Sequence, residues 1–414
     1  MKFEIITEKE YHDYWEKHPL KDFLSSPVIG KSKEGTNWQV SYACVKEKNK
    51  IIAACMLLSY KRKLNKSEFY SPRGLLVDYE NDKLLNFFIS SLKDYIKKNG
   101  GYELKIEPNV YYKQRDINGD IVEGGIDNTH IRQKLFDLGF KLTPQKDCKQ
   151  IIWMFSLNTK GKTKDDILNE MKPTTRNIIR KTEKIGITIR ELKYDELDTF
   201  YKILIETGAR RNFKIRELSY YQKMYKLLHD TNEVKFLITE INIKDYLEKL
   251  RNENKDSLNK IENMKDNPHN AGKIKELTAI IGANDKRIKT VNEIYEKTGK
   301  DILTLSGSMF IMIKPQVVYL SSGNYEEYMF FNSQYLIQWE MIKYAIDNGF
   351  DKYNFYGIPA DINTKPKNYG LYEFKKGFNG YVEELLGEFT LPITYHYYLF
   401  KAIDKLKSIL KGKS

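Results

Sequence analysis

The chain has 414 residues, of which 41% are hydrophobic and 13% aromatic, a composition that supports folded cores and excludes an intrinsically disordered chain. Its net charge of +13 favours phosphate-rich partners or anionic lipid headgroups without deciding between them. A single hydrophobic core rarely serves a chain of this length, so we expect two domains with some extension.

The cysteines and histidines limit the kinds of site that the chain can form. Cys44, Cys55 and Cys148 show no metal-ligand spacing and no even-numbered disulfide framework, which fits a reducing cytosol. The histidines show no metal spacing either, so we expect neither a metal nor a cofactor. The N-terminus lacks the apolar core of a secretory signal, and the apolar run at 51–58 is far shorter than the roughly 20 residues that cross a bilayer. We therefore predict a cytoplasmic protein.

The first part of the chain alternates strand and helix patterns. Residues 41–63 read as a β-hairpin, 83–98 as an amphipathic helix and 102–110 as a buried strand. A helix at 131–140 and an apolar strand at 150–157 follow. This order predicts a mixed α/β unit over residues 1–157.

A second α/β unit is predicted over residues 158–384. It opens with a helix capped by Thr163, interrupted at Pro173 and stopped by Gly186. Strands at 308–313 and 317–321, a helix at 333–347 and a strand at 352–357 follow, in an order that echoes the first unit.

Two segments inside this second unit carry a different pattern. Apolar residues recur at alternating spacings of four and three in each segment, with a turn sequence containing Pro268 and Gly272 between them. These seam positions are Ile243, Leu247, Leu250, Asn254, Ser257, Ile261 and Met264, then Ile274, Leu277, Ile281, Asn284, Ile288, Val291 and Tyr295. All are apolar or aromatic except Asn254, Ser257 and Asn284, which weaken the pattern locally. The pattern predicts an antiparallel coiled-coil hairpin over residues 243–298, inserted into the second unit.

The C-terminal tail has the pattern of a basic amphipathic helix. Phe400, Ile403, Leu406 and Leu410 fall on one face with lysines around them. Such a helix either rests on a membrane surface, which would make the protein peripheral at the cytoplasmic face, or covers the core of another domain.

The stretch 352–380 joins an aromatic-rich strand to a glycine-punctuated loop and then to Lys375 and Lys376, which Phe374 and Phe378 flank. A lysine held between aromatic rings stabilises negative charge that develops on a reacting carbonyl oxygen, because desolvation strengthens the interaction. The pattern therefore indicates acyl transfer. The alternative is a strand and turn with core aromatics and solvated lysines. In a strand, the two lysines would point in opposite directions.

Several segments together resemble the Fem and MurM aminoacyltransferases, the non-ribosomal enzymes that build the cross-bridge peptide of bacterial peptidoglycan. Their amino-acid sequences are most similar to those of the FemA branch. The segments are FLSSPVIGKSKEGTNW (23–38), EFYSPRGLLVDYEN (68–81), LKIEPNV (104–110), MKPTTRNIIRKTEKIGI (171–187), ETGARRNF (206–213), YLSSGNYEEY (319–328), QYLIQWEMIKYAIDNGFDKYNFYGI (334–358) and FKKGFNGYVEELLGEFTLPI (374–393). They cover nearly the whole chain in the family's order.

The resemblance implies a fold, a reaction and partners. The implied fold is α/β, with two acetyltransferase-like domains, residues 385–414 returning to the first domain, and an inserted helical arm. The reaction transfers an amino acid from aminoacyl-tRNA to an amine on the stem peptide of a lipid-linked or UDP-linked cell-wall precursor. Two other functions stay open: a coenzyme A-dependent N-acyltransferase, for which we find no convincing glycine-rich pyrophosphate turn, and a non-catalytic tRNA-binding protein.

The resemblance also implies roles for single residues. Lys375 matches the lysine of the family's Phe-Lys-x-Gly-Phe signature and is expected to stabilise the tetrahedral intermediate and hold the tRNA end, with Phe374 beside it. Glu107 is a candidate for positioning the amine or acting as base, and a strand-end residue in solvent or in an ion pair is the alternative. The expected substrate-binding residues are Lys33, Arg210, Arg211, Tyr70, Arg73 and Tyr356. Of these, Lys33 and either Arg210 or its neighbour Arg211 match ligands for the precursor's phosphates.

A basic run at 172–193 favours contact with nucleic acid. Within it Arg176, Arg180 and Lys184 recur every fourth residue and form one stripe on a helix, suited to phosphates of tRNA. Lys376 is a further candidate for tRNA contact, and a solvated face is the alternative for the stripe. The hairpin is nearly neutral, with 12 basic against 10 acidic residues from 244 to 297, so any contact it makes with tRNA depends on shape.

Overall fold

The computed structural model describes residues 1–360, 362 and 369–411. Its first elements are β1 (Lys2–Ile6), α1 (Glu8–Trp15), α2 (Pro27–Lys31), β2 (Trp38–Glu47), β3 (Lys50–Lys61), β4 (Ser67–Ser71), α3 (Asp82–Lys98), β5 (Gly101–Ile106), β6 (Tyr111–Gln114), α4 (Thr129–Asp137), β7 (Lys141–Leu142) and β8 (Trp153–Asn158). The hairpin, helix and strand expected before residue 110 are all present.

The rest of the chain is richer in helix. Its elements are α5 (Lys164–Glu170), α6 (Pro173–Lys184), β9 (Thr188–Glu191), α7 (Leu197–Arg211), α8 (Leu218–Leu228), β10 (Val234–Asn242), α9 (Ile243–Met264), α10 (Ala271–Thr298), β11 (Ile302–Ile313), β12 (Gln316–Asn324), α11 (Ser333–Asp347), β13 (Lys352–Gly357), α12 (Tyr369–Lys376), β14 (Tyr381–Leu385), β15 (Phe389–Pro392) and α13 (His396–Lys411). Thr163 caps α5 with its side chain, and Pro173 begins α6 rather than continuing α5.

Two mixed sheets organise these elements. The first has seven strands in the order β1-β2-β3-β4-β5-β15-β7, and the second has eight in the order β6-β14-β8-β13-β12-β11-β10-β9. Each contains one parallel pair, β4 with β5 and β12 with β13, and a helix connects the partners in both cases. This shared strand–helix–strand crossover explains why the sequence patterns of the two halves echo each other.

The two sheets exchange strands, and sequence patterns did not indicate the exchange at β6 and β8. β8 belongs to the second sheet, although the boundary predicted at residue 157 assigned it to the first unit. β6 from the first part of the chain also lies in the second sheet, whereas β15 from the C-terminal segment lies between β5 and β7 of the first. An apolar strand can pair in either sheet, so its sequence alone does not select one.

The segment predicted as a hairpin is a pair of helices, α9 and α10, that pack against each other and emerge between paired strands β10 and β11. Leu247, Leu250 and Val291 of the predicted seam are buried. Two of the three polar seam positions pair with each other: Asn284 donates to the side-chain oxygen of Asn254 at 3.0 Å. The seam therefore accommodates its two asparagines by a hydrogen bond between the helices.

The tail helix α13 covers part of the first sheet. Tyr397 and Phe400 are buried against Tyr102 of β5, and Ile403 packs beside them, whereas Leu406 is 61% exposed. The side chain of Leu410, residues 412–414 and residues 361 and 363–368 of the predicted glycine-punctuated loop lie outside the described residues. Within the described part, no helix combines the length and hydrophobicity that a bilayer-crossing segment needs.

Candidate active site

Lys375 is buried at the end of helix α12, with 3% of its surface exposed. Its Nζ donates to the carbonyl oxygens of Gly357, at 2.6 Å, and Tyr356, at 3.3 Å, both at the end of β13. Burial lowers the pKa of its amine to about 7. The lysine therefore sits near the balance between its charged and neutral forms at neutral pH.

The secondary structure around the lysine pair differs from the expectation. Lys375 and Lys376 lie on a helix rather than a strand, because residues 369–376 continue as one helical segment after the loop. The two side chains still diverge, since neighbouring positions on a helix differ by about 100°. Lys376 points outward and donates to the side chain of Asn118 at 2.6 Å.

Phe374, the other neighbour of Lys375, lines a cavity of about 390 Å³ in the second unit. Its ring meets the Tyr335 ring edge to face, with centroids 4.8 Å apart. The cavity combines aromatic walls with polar groups, a lining typical of sites that bind small organic groups. Its other lining residues include Thr207, Tyr319, Ser322, Asn332, Gln334 and Leu371.

Arg210 and Arg211 line the same cavity from the C-terminal end of α7. One guanidinium nitrogen of Arg210 donates to the carbonyl oxygen of Asn324 at 3.3 Å. Its Nε is buried and, among the described residues, has no hydrogen-bond partner. A buried, unpaired donor is costly, so it marks a place where a ligand acceptor would be stabilising.

A second polar cluster lies in the first unit, where Glu107 follows β5. Glu107 and Arg73 are each 2% exposed, and Glu107 accepts a short hydrogen bond from the hydroxyl of Tyr70. Arg73 also donates to the carbonyl oxygen of Ile151 at 2.7 Å. Burial raises the pKa of Glu107 to about 7, although the nearby Arg73 opposes this shift.

The Arg73–Glu107 pair keeps capacity for a further partner. Nη1 of Arg73 and Oε2 of Glu107 face each other at 3.3 Å. Neither atom has a hydrogen bond of acceptable geometry within the described residues. One donor and one acceptor thus remain available in a buried position, as a binding site for a polar substrate group requires.

Tyr356 connects this cluster to Lys375. Burial raises the pKa of its phenol, and Arg73, Asp22 and Glu107 are all close enough to perturb it. Its backbone adopts a left-handed conformation with φ of 65°, unusual for a tyrosine. Its own carbonyl oxygen accepts from Lys375. Lys375 is therefore linked to both sites: to the cavity through its chain neighbour Phe374, and to the cluster around Glu107 through the backbone of Tyr356.

Lys33 lies in a separate group of cations. It is half-buried, and burial lowers the pKa of its amine, helped by Arg216 and Lys223. Arg216 also stacks over the ring of Tyr220, at 4.5 Å from the centroid. Cations held together against their mutual repulsion form a site suited to an anion. The structure brings Lys33 to Arg216 and Lys223 rather than to Arg210.

The basic stripe lies on helix α6, as its spacing predicted. Arg180 and Lys184 are exposed, and Arg176 donates to the carbonyl oxygen of Asn169 at 2.6 Å. The N-terminal end of α6 packs tightly on α12: a Cβ added to Gly377 would lie 2.3 Å from the Thr175 hydroxyl. The stripe therefore begins next to the helix that carries Lys375.

Sequence reasoning missed several of these residues. Tyr335 and Gln334 lie within a segment that resembles the family, but nothing in their pattern indicated a cavity wall. Arg216 and Lys223 carry no motif at all, and only the folding of α8 against the first unit brings them to Lys33. Asp22 accepts from Gln316 at 3.0 Å across the two units, a contact that no local pattern encodes.

Comparison with known proteins connects this geometry to a family. Residues 6–405 match the FemAB family, which is nearly the whole chain. The chain belongs to the FemAB family. Two relatives of this FemAB chain are aminoacyltransferases FemA, one from Staphylococcus epidermidis and one from Staphylococcus aureus. The first is 30% identical over 98% of this chain and 100% of its own length, the second 30% identical over 98% and 99%. The predicted enzyme class, an aminoacyltransferase, is thereby confirmed.

Solved structures confirm the predicted fold of the FemAB chain. The crystal structure of FemX superposes with a TM-score of 0.74 at 25% identity, covering 97% of this chain and 99% of FemX. A tandem GNAT protein from the clavulanic acid biosynthesis pathway superposes with a TM-score of 0.50 at 8% identity, covering 95% of this chain and 98% of that protein, a likeness of fold alone. Two acetyltransferase-like units are thus present in one chain.

Proposed function

We propose that this FemAB protein transfers an amino acid from aminoacyl-tRNA to an amine on the stem peptide or growing cross-bridge of a peptidoglycan precursor. The observation that carries the proposal is the buried Lys375, which follows Phe374 of the cavity wall and donates to the backbone of Tyr356, a neighbour of the cluster around Glu107. A donor in the cavity and an acceptor at the cluster would meet beside one amine of lowered pKa.

The chemistry asks for alignment and charge stabilisation. The aminoacyl ester is already activated, so the neutral acceptor amine attacks its carbonyl carbon directly and forms the new C–N bond. The carbonyl oxygen becomes negative in the tetrahedral intermediate. The C–O bond to the tRNA ribose then breaks, and the leaving ribose oxygen takes up the proton that the amine loses. No covalent enzyme intermediate is needed.

We assign the oxyanion to Lys375. Developing negative charge beside its amine favours the protonated form, so the charged lysine is stabilised most when the intermediate forms. The two carbonyl oxygens that it holds in the free protein fix its position before substrate arrives. Phe374 packs against Tyr335 and would orient the 3′ end of the tRNA in the cavity.

The donor body would lie along helix α6. Arg176, Arg180 and Lys184 present one line of positive charge that ends beside α12, and Lys376 extends it on the outer face of that helix. Phosphate contacts from such a line position a nucleic acid without reading its sequence. We further propose that α9 and α10 form a coiled-coil arm that contributes shape rather than charge to this surface.

The acceptor would occupy the side of the first unit. The buried Arg73–Glu107 pair offers an open donor and an open acceptor, with Tyr70 and Tyr356 as neighbours. Glu107, whose pKa is close to 7, can hold the acceptor amine or take a proton from it.

Cationic residues would hold the acceptor's phosphates. Lys33, with Arg216 and Lys223 beside it, supplies one group of cations. Arg210 and Arg211 line the Phe374 cavity, so they would reach the precursor's phosphates only if the precursor extends to the rim of that cavity. We place the enzyme in the cytoplasm, where both substrates are made, and assign residues 1–157 with 385–414, and 158–384, to its two units. If the acceptor is lipid-linked, the enzyme must approach the cytoplasmic membrane face.

The direct test is amino-acid transfer by the purified protein. It is incubated with a mixture of radiolabelled aminoacyl-tRNAs and either a UDP-linked or a lipid-linked precursor, and the precursor is analysed for label. We expect label to move to the precursor without coenzyme A. Binding of tRNA without transfer would instead support a non-catalytic tRNA-binding protein. A rise in melting temperature with coenzyme A would support the coenzyme A-dependent reaction.

A further inference from the structure

Within the described side chains, helix α13 packs on the hydrophobic surface of the first sheet with one face. Phe400 meets the Tyr102 ring at 4.8 Å between centroids, and Asp404 pairs with both terminal nitrogens of Arg62 on the same side. These contacts fix the helix on the first sheet. They also decide which residues point away from it.

The opposite face of α13 and the residue just before it are apolar and exposed. Tyr395 is 72% exposed, Tyr398 57%, Leu399 41% and Leu406 61%. Their spacing of three, one and seven residues places them on a single stripe of a 3.6-residue helix, about half a turn from Phe400. Only Leu406 is shared between this outer stripe and the face predicted from sequence, because Phe400 and Ile403 of that face pack on the protein.

Lysines border the outer stripe. The amine of Lys141 on β7 lies 5.0 Å from the Tyr398 ring centroid and donates to its hydroxyl at 3.5 Å. Lys401 is exposed and lies over the ring of Tyr397 at 5.8 Å. Leucines at the centre of the stripe, with tyrosines and lysines at its border, are the arrangement of a helix that lies in the interface of an anionic bilayer.

The geometry points to a membrane-binding surface: we propose that the outer stripe of α13, with Lys141 and Lys401, binds the surface of a bilayer rich in anionic lipid. Charge complementarity favours this occupant over a second copy of the chain, whose own net charge of +13 would oppose association. The helix has 16 residues, about 24 Å at 1.5 Å per residue, enough to lie along the surface without crossing it.

This surface extends the proposed function, since it would hold the enzyme where a lipid-linked acceptor resides. It does not depend on Lys375 or Glu107, which lie elsewhere in the fold. Transfer to a water-soluble UDP-linked precursor should therefore be unchanged by substitutions in the outer stripe. That separation lets the membrane surface fail while the proposed reaction stands.

The test is co-sedimentation of the full chain with vesicles of phosphatidylglycerol and phosphatidylcholine or of phosphatidylcholine alone. We expect binding to the first and little to the second, weakened by salt. Leu399→Ser with Leu406→Ser should weaken binding about tenfold or more. Lys401→Glu should weaken it about fivefold or more. Leu258→Ser and Lys260→Glu, at exposed sites on α9, are matched controls that should bind as the unaltered protein does.

Three results would overturn the inference: no binding to anionic vesicles, equal binding to both vesicle types, or binding that the outer-stripe variants retain. A dimer of the unaltered protein in analytical ultracentrifugation that Leu406→Ser dissociates would also overturn it, by assigning the stripe to a second copy. Thermal melting identifies a variant that has lost its fold. In that case the surface substitution Lys401→Glu alone decides the question.

Discussion

The amine of Lys375 donates a 2.6 Å hydrogen bond to the carbonyl oxygen of Gly357, so a buried lysine on one helix holds the end of strand β13. The same lysine lies between Phe374, which lines a cavity, and Tyr356, which belongs to the polar cluster of the other unit. Lys375 therefore has two roles: its hydrogen bonds hold the fold, and its charge can stabilise a reacting oxygen. The two roles make different predictions.

The structural role predicts a pH-dependent effect of Lys375→Met on stability. Burial lowers the pKa of Lys375 from 10.5 to about 7. Between these values the unfolded chain binds more protons than the folded chain, so stability of the unaltered protein rises with pH over this window. Methionine has no charge to bury. Its stability advantage over lysine should therefore be greatest below pH 7 and shrink toward pH 10.5, as measured by urea unfolding at several pH values. A difference that stays constant with pH would contradict the burial of the amine.

The anion site predicts a selective effect of Lys33→Ala. Loss of one charge-assisted contact to the precursor's phosphates should raise the KM for precursor about tenfold and leave the KM for aminoacyl-tRNA unchanged. Steady-state kinetics with each substrate varied in turn measures both. Lys31→Ala is the matched control, since Lys31 pairs with Glu8 at the surface nearby. An increase in the KM for tRNA instead would assign Lys33 to the donor.

The basic stripe predicts a loss of electrostatic affinity for tRNA. Replacing Arg176, Arg180 and Lys184 together by alanine removes three phosphate contacts. The slope of log affinity against log salt concentration should fall by about two to three, because each contact releases a condensed counterion. Binding is measured by filter retention or fluorescence anisotropy over a salt series.

The control for the stripe has the same charge change on a distant helix. Lys93, Lys97 and Lys98 are exposed on α3 of the first unit, and their joint replacement by alanine should leave the salt slope nearly unchanged. Equal effects of the two triple variants would mean that net charge alone, not the line on α6, binds the tRNA.

Glu107 predicts a feature of the pH–rate profile. Burial raises its pKa from 4.5 to about 7, so its carboxylate forms around neutral pH rather than in acid in the free enzyme. If the carboxylate holds or deprotonates the acceptor amine, kcat/KM for the precursor should rise as pH increases through 7. Glu107→Gln should abolish that rise. Glu103→Gln, at a buried carboxyl on β5, the strand that precedes Glu107, should keep it. A profile that Glu107→Gln leaves unchanged would remove Glu107 from the chemistry.

The parts of the fold that could be predicted from the sequence are those that depend on residues close together in the chain. The period of three and four residues predicted α9 and α10 to within a residue at their outer ends, because one apolar stripe buries against another. The membership of β8 in the second sheet was not predicted, since strand pairing is set by long-range contacts. The lysine pair was placed on a strand, and the helix around it follows from packing of α12 on α6 and β13.

The residues of the candidate site also fall into those that a local motif identified and those that only the folded structure reveals. Residues within recognisable motifs, such as Phe374, Lys375 and Arg73, were identified in advance as candidates. The lowered pKa of Lys375 and the unsatisfied atoms of the Arg73–Glu107 pair became visible only with burial known. Arg216 and Lys223 were missed because their only distinguishing property is proximity to Lys33.

The central claim is that Lys375 stabilises the oxyanion, and the rate of a single turnover tests it most directly. Lys375→Met keeps an unbranched side chain of similar shape, shorter by the terminal amine, and removes its charge. Lys376→Met makes the same change one position along the helix. With enzyme and both substrates preassembled, we expect Lys375→Met to slow transfer by about 10² to 10³-fold and Lys376→Met to leave the rate within a few-fold of the unaltered enzyme. A folded Lys375→Met protein that transfers the amino acid at the unaltered rate would contradict the account.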